Sequence, residues 1–335
     1  MEKINNYSYT NKDSNKFKKI PLWKKQLIFG GVIALFIMLI IIIIVLAVHG
    51  SSNSNLNKLG ELDCIYTIEE ISSKTQIISK EYNKASKFDI IIDSIKVEFI
   101  KEYQFKERGE HDIKFILYED INMDYMFKDI KDLTSIILVS DKNAKIKSMI
   151  STFESCINLN YFLNNGFYLD EIKSIKNIFY NTNILTLNLK NFNPKNIEDM
   201  SYMFAYSSIE QININDLDTS HTKNMSHMFY SCKSLKNIDD FHINTNQLID
   251  ISYMFSSCDS LTDINLSILD TTNLVNISGL FHNCISLSKI KIDNLNTQNV
   301  EDMSHMFEND YSLKEINIEN LNTNKVKNMS YMFKF

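Results

Sequence analysis

Glycine and proline are scarce in this 335-residue chain, at 7 and 2, and with them go the breakers that punctuate helices and strands in most compact folds. Regularity must come from a recurring pattern of other residues. Basic surface is lacking as well: the net charge is -6, no basic stripe with interleaved aromatics follows the N-terminal tail, and a weakly acidic body repels phosphate. Nucleic acid is therefore not an expected partner. Motifs for chemistry are missing too. There is no Walker loop, no GxGxxG after a strand and no HExxH, and the acidic residues scatter rather than converge, so the sequence predicts neither an enzyme nor a cofactor. Cysteine is few and odd in number, at five, with no CxxC or Cys/His spacing to suggest a metal.

What is present begins with 44% hydrophobic residues, enough for a large core. From Leu27 to Val48 the chain runs LIFGGVIALFIMLIIIIIVLAV, 22 residues without a charge, long enough to cross a bilayer as a helix. Lys16, Lys18, Lys19, Lys24 and Lys25 precede it, whereas only Lys58 comes between it and Glu61. That asymmetry predicts a cytoplasmic tail over 1–26, a bilayer-spanning signal anchor over 27–48, and a single-pass cell-membrane protein with its C-terminal part outside. A cleaved signal peptide ending near Val48-His49-Gly50 is the competing reading. Residues 49–61 read as a flexible linker rich in Ser, Asn and Gly. Over 62–119 the runs FDIIID, IKVEFIKEYQF and HDIKFILY alternate with period two, which predicts a small β-rich module. It reads either as a cap on the C-terminal part of the chain or, since YQFKERGEHDIKFILY resembles the closing hairpin of small immunoglobulin-like surface domains, as a module of that kind.

Beyond residue 120 a phenylalanine recurs every 25 or 26 residues, at Phe127, Phe153, Phe179, Phe204, Phe229, Phe255, Phe281, Phe307 and Phe333. A fixed period of this length marks a repeat architecture. Five residues before each anchor stands Asn, Ser or Asp, for example Asn224 and Asp250, a type that caps helix starts. Apolar residues at -4, -1 and 0, such as Met225, Met228 and Phe229, would share one helical face. Downstream, Leu287-x-x-Ile290-x-Ile292 and Leu313-x-x-Ile316-x-Ile318 alternate as strands do. The prediction is an α/β solenoid of about nine coils over 120–335, each with one short strand and one helical turn. One coil alone buries too little to offset the entropy of ordering its backbone, so coils must stabilise one another.

The segments NMSHMFYSCKSLKNI, DISYMFSSCDSLTDINL and EDMSHMFENDYSLKEINIENLNTNKVKNMSYMF resemble the BspA-type leucine-rich repeats of surface proteins. That resemblance implies a displayed scaffold that binds host, matrix or neighbouring-cell proteins, carries no enzyme, and leaves the ligand unspecified.

Within this frame Cys232, Cys258 and Cys284 stack in consecutive coils, as buried thiols, as a disulfide between neighbouring coils, or as a metal site. His227 and His305 share one repeat position with Tyr125, Tyr202, Tyr253 and Tyr331, an interrupted aromatic stripe that is either functional or an ordinary amphipathic surface. Outward strand positions are the predicted face for an unknown protein or glycoprotein ligand: Asn213, Asp239, Phe241, Asn265, Lys291, Asp293, Asn317 and Glu319, with Phe241 as the aromatic anchor. The alternative is a solvated face whose Asn ladder satisfies its own hydrogen bonds. Asn224, Asn265, Asn276 and Asn328 lie in N-x-[ST] sequons, of which Asn265 alone is not a cap. The uncapped C-terminal coil at Met332-Phe333-Lys334-Phe335 is a candidate self-association edge, and a self-associating surface coat is the alternative function.

Overall fold

The computed structural model describes residues 58–335 except 72–73, 85–86, 186, 188, 190–191, 193, 216, 239–242 and 268. The chain divides into Met1–Leu56 and Asn57–Phe335, and the description concerns the second unit. The predicted tail over 1–26 and apolar run over 27–48, and most of the linker, lie outside the described residues.

Twelve strands occur in the order β1 Gly60–Ile68, β2 Thr75–Gln76, β3 Phe88–Ile92, β4 Ile95–Val97, β5 Glu102–Tyr103, β6 Gly109–Leu117, β7 Ile121–Asn122, β8 Leu133–Ser140, β9 Ile146–Ser148, β10 Tyr161–Asn165, β11 Asp263–Asn265 and β12 Lys289–Lys291. Six of them form one sheet in the order β10-β8-β1-β6-β3-β4. All its pairings are antiparallel except β10 with β8. Because β8 and β10 belong to the coils anchored by Phe127 and Phe153, the N-terminal sheet runs on into the repeats. Phe115 on β6 meets the first anchor, Phe127, edge to face at 5.6 Å. Gly60 sits where this join is tightest, since a Cβ there would lie 2.7 Å from the Val139 carbonyl oxygen.

The tight turn of this region is at Asp93-Ser94, with φ of 47° and 69°, the double left-handed geometry that suits a two-residue hairpin between β3 and β4. The hairpin suggested by YQFKERGEHDIKFILY does not form. Its first arm, β5, pairs with β2, and its second, β6, lies between β1 and β3.

From Phe127 onward the nine anchors stand in single file, with successive ring centroids 5.4 to 5.9 Å apart and interplanar angles of 4° to 16°. Parallel bridges link Ser174, Asp199, Asn224, Asp250, Asn276, Asp302 and Asn328 in succession. The coils are thus laid one against the next.

The predicted helical turns are absent, and the α/β solenoid reading is corrected accordingly: no helix occurs among the described residues. The coil around Phe229 shows why. Met225, His227, Phe229 and Ser231 donate their N–H groups across to Asp250, Ser252, Met254 and Ser256 of the next coil, while Met228, Tyr230 and Cys232 donate three residues back to Met225, His227 and Phe229. A helix would send every N–H four residues back and leave nothing for the neighbouring coil. Left-handed residues at His227 and Ser231, φ 57° each and four residues apart, break the helical sense in a run too short to resist it. The -4, -1, 0 spacing still points inward, and Met225, Met228 and Phe229 are fully buried. The predicted strand in every coil is also reduced: among the described residues of the later coils only β11 and β12 qualify, in parallel register.

No helix of the described residues is long and apolar enough to cross a membrane, which corrects the predicted single-pass cell-membrane placement. In the described part, apolar side chains are interleaved with polar ones turn by turn, so no long uncharged run builds up. The 27–48 run that motivated that placement is outside the described residues.

Candidate recognition surface

Several coils turn corners on the side chains of Asn and Asp. Between Phe255 and Phe281 three side-chain oxygens accept the N–H two residues on: Asn265 from Ser267 at 3.1 Å, Asp270 from Thr272 at 3.1 Å and Asn276 from Ser278 at 3.0 Å. The same trio recurs at Asn213, Asp218 and Asn224 and at Asn317, Asn322 and Asn328. These are Asx turns, in which a side chain mimics a backbone turn. The predicted caps therefore do accept a backbone N–H, but they open a tight turn instead of a helix.

This geometry bears directly on the predicted strand face. Asn213, Asn265, Lys291, Asp293, Asn317 and Glu319 are all solvent-exposed, and Asn265 on β11 lies in register with Lys291 on β12. Asp239 and Phe241 lie outside the described residues. The Asn oxygens are committed to the backbone, Asn265 taking in addition the Ser267 hydroxyl at 2.6 Å. Asn265 is thus no freer as a glycan acceptor than the three sequon Asn residues that open coils.

All five cysteines are free and buried, so the disulfide alternative is not realised. Cys156, Cys232, Cys258 and Cys284 instead point their thiols at the carbonyls of Phe127, Phe204, Phe229 and Phe255, one coil back, at 2.9 to 3.2 Å. Burial raises each thiol above its usual range. In the next coil Asp310 takes the cysteine place. Its Oδ1 accepts the Cys284 N–H at 2.7 Å, its Oδ2 is buried without a hydrogen bond, and burial pushes its carboxyl up to about 8. No group of three or more His, Cys, Asp or Glu suited to a metal occurs among the described residues.

Flanking the anchors in sequence, other rings gather. Tyr202, His227 and Tyr253 stack at 4.4 and 5.1 Å with interplanar angles of 10° and 18°. A second row, Tyr180, Tyr206 and Tyr230, packs edge to face at 5.3 Å per step and meets the first through His227 and Tyr230 at 5.5 Å. Gly279 would interrupt the stripe, but the Tyr253 ring lies over it, 2.3 Å from where a Cβ would be. The stripe continues through Tyr253–His282 at 6.0 Å, His282–His305 at 6.3 Å and His305–Tyr331 at 5.1 Å. His305 Nδ1 hydrogen-bonds Glu308, which also faces His282 at 3.8 Å and Lys334 at 3.1 Å. The His305 bond, and after it Lys334, holds the Glu308 carboxyl below its usual range.

The backbone under the stripe is left-handed at Tyr202, His227, Tyr253, His305 and Tyr331, with φ between 53° and 59°. Such residues cost about 1 kcal/mol or more each. Tyr202, His227, Tyr253 and His305 are each held by a bond to the next coil, as from Tyr253 N–H to Ser278 O at 2.8 Å. Burial raises the hydroxyls of Tyr180, Tyr202, Tyr206 and Tyr253 and lowers the His227 and His282 imidazoles.

Repeat spacing revealed the tyrosines and histidines two residues before the anchors but missed Tyr180, Tyr206, Tyr230 and His282. Those stand one or two residues after an anchor, where Ala205 and Ser256 also occur, so no single residue type recurs. The signal available was a lack of charge. In the windows 201–206, 226–231, 252–257 and 278–283, around four successive anchors, no Asp, Glu, Lys or Arg appears, in a chain that is 23% charged. By contrast, an open groove of about 480 Å³ lined by Lys173, Glu198 and Lys223, among others, is electrically self-satisfied, with Glu198 between Lys223 at 2.8 Å and Lys173 at 3.7 Å.

No curated protein and no solved structure matches the chain. Three overlapping stretches, 99–208, 147–267 and 249–335, match the family described as "Mycoplasma protein of unknown function, DUF285". The matches succeed one another along the chain, as the stacked coils do, and together run from 99 to 335. The chain belongs to the DUF285 family and has a repeat architecture within it.

Proposed function

We propose that this chain is a non-enzymatic protein-recognition module of the BspA-type leucine-rich-repeat kind, binding its partner through the uncharged tyrosine and histidine stripe. The observation that carries this reading is the pairing of mutually packed rings with charge-free Ser, Asn and Tyr over four successive coils. Tyrosine offers large, rigid, amphipathic contact area at low entropic cost, and Ser and Asn offer adaptable hydrogen bonds, a composition typical of protein-binding paratopes. Rings already fixed by one another lose little freedom on binding. Tyr206, 46% exposed, stands highest in the stripe among the described tyrosines of these four coils. The strand face predicted from sequence is the weaker candidate, because its Asn oxygens are occupied.

Binding of the purified full-length chain to immobilised extracellular-matrix proteins and to cell surfaces tests this. Tyr206→Ala with Tyr230→Ala is expected to weaken binding about tenfold or more, each lost aromatic anchor being worth ~1 to 2 kcal/mol. Asn265→Ala with Lys291→Glu is expected to leave it within about twofold. The reverse pattern would return the site to the strand face, and no binding by the unaltered chain would remove the proposal.

A further inference from the structure

β4 forms one edge of the six-stranded sheet. Its register with β3 sets Ile92 against Ile95, Ile91 against Lys96 and Ile90 against Val97. Cross-strand partners share a face, and Ile90 and Ile92 are buried core residues, so Ile95 and Val97 belong to the core face. Phe99, two residues on, extends that row and meets Phe88 at 5.6 Å. Yet Ile95 is 65% exposed and Phe99 55%. The core face therefore overhangs the edge, and its outermost apolar residues are left in water.

The hairpin fixes which backbone groups face outward. A two-residue turn makes Ile92 and Ile95 the hydrogen-bonded closing pair, and bonding alternates along an antiparallel strand. Lys96 then directs its N–H and C=O groups away from β3, and carrying the same alternation one step past the end of β4 at Val97 does so for Glu98. Most soluble proteins protect such an edge with like charges or inward-pointing lysines that repel a second strand. Here the two outward positions carry opposite charges, and both side chains are exposed. Lys96 reaches Asp89 at 2.6 Å, while Glu98 has no ion pair among the described residues.

We infer that the β4 edge is a self-association surface, at which two copies of the chain pair antiparallel about a two-fold axis through Val97. In that register Lys96 of each copy faces Glu98 of the other, both exchange backbone hydrogen bonds with the groups that point outward, and Ile95 lies across from Phe99. One register thus satisfies the backbone, the charges and the apolar overhang together. A slip by one residue would set Lys96 against a position whose groups point inward, and would turn the apolar row to the wrong face. The surface is separate from the tyrosine and histidine stripe, and its failure would leave the recognition reading untouched.

Sedimentation of the full-length chain in one fixed buffer, over about 1 to 100 µM, tests the pairing. The unaltered chain is expected to form a two-copy species. Glu98→Lys, which sets Lys against Lys twice across the axis, is expected to weaken it about tenfold or more. Lys96→Glu should do the same, and the double swap Lys96→Glu with Glu98→Lys should restore association. The swap separates this edge from self-association through any other segment, which it leaves unchanged. Glu98→Pro, which removes an outward N–H from an edge position where proline is tolerated, should weaken association while the melting temperature stays unchanged. A single-copy species throughout, or a double swap that melts like the unaltered chain yet fails to regain association, would overturn the inference.

Discussion

Asp310 shows how one substitution inside a ladder changes the electrostatics of the fold. Four coils place a cysteine thiol against the preceding Phe carbonyl, and the fifth places a buried carboxyl with one unsatisfied oxygen. Burial raises that carboxyl from 3.8 to about 8, so the folded chain holds the proton more tightly than the unfolded chain. Stability is then fully present below the unfolded value and declines as pH rises through the window towards about 8. The slope is up to about 1.4 kcal/mol per pH unit. Asp310→Asn cannot ionise and keeps an acceptor for the Cys284 N–H. Thermal melts from pH 5 to pH 9, a range chosen to bracket the titration, are expected to show the variant gaining on the parent as pH rises. Asp63, raised to about 6 by burial and by Glu61, acts in the same direction in both proteins and cancels in the comparison. A constant difference between the two across the range would show that Asp310 does not titrate on folding.

At the scale of the element, the turn unit is legible in part from sequence, and the illegible part is instructive. Asn224 five residues before Phe229 does accept a backbone N–H, from Ser226 at 2.9 Å, and Met225, Met228 and Phe229 do face inward. The helix inferred from that spacing is wrong because, over so few residues, apolar positions at -4, -1 and 0 suit either one helical turn or two tight turns reversed by left-handed residues. Local pattern cannot choose between them. Inter-coil hydrogen bonding chooses, and it is a long-range property. Asparagine and aspartate together supply three corners in each of the coils that follow Phe204, Phe255 and Phe307. The left-handed corners also make a testable contrast. Ser231 has φ 57°, so Ser231→Val is expected to lose about 1 to 2 kcal/mol, whereas Ser231→Gly is expected to fall within about 1 kcal/mol of the parent. Urea unfolding measures both. Equal losses would mean that the position is not held left-handed.

For the whole molecule, periodicity revealed the single file of phenylalanines, because one residue type repeats at one position. The pairing of β2 with β5 and the continuation of the N-terminal sheet through β8 and β10 were not readable, since each joins segments far apart in sequence whose register no local pattern encodes. The tyrosine and histidine stripe lay between these cases: Tyr202, His227, Tyr253 and His305 shared a position and were found, while Tyr206 and Tyr230 differed by one place in the coil and were not. What unites the scales is that alternate amides of each coil bond the neighbouring coil while the amides between them close turns within their own, so that none is stable alone. Amide hydrogen exchange on the full-length chain tests this most directly. The donors to the next coil, Met225, His227, Phe229 and Ser231 and then Ile251, Tyr253, Phe255 and Ser257, are expected to exchange slowly and at one common rate set by cooperative opening. Exchange that is fast at these amides, or that differs coil by coil with each coil opening independently, would contradict the account.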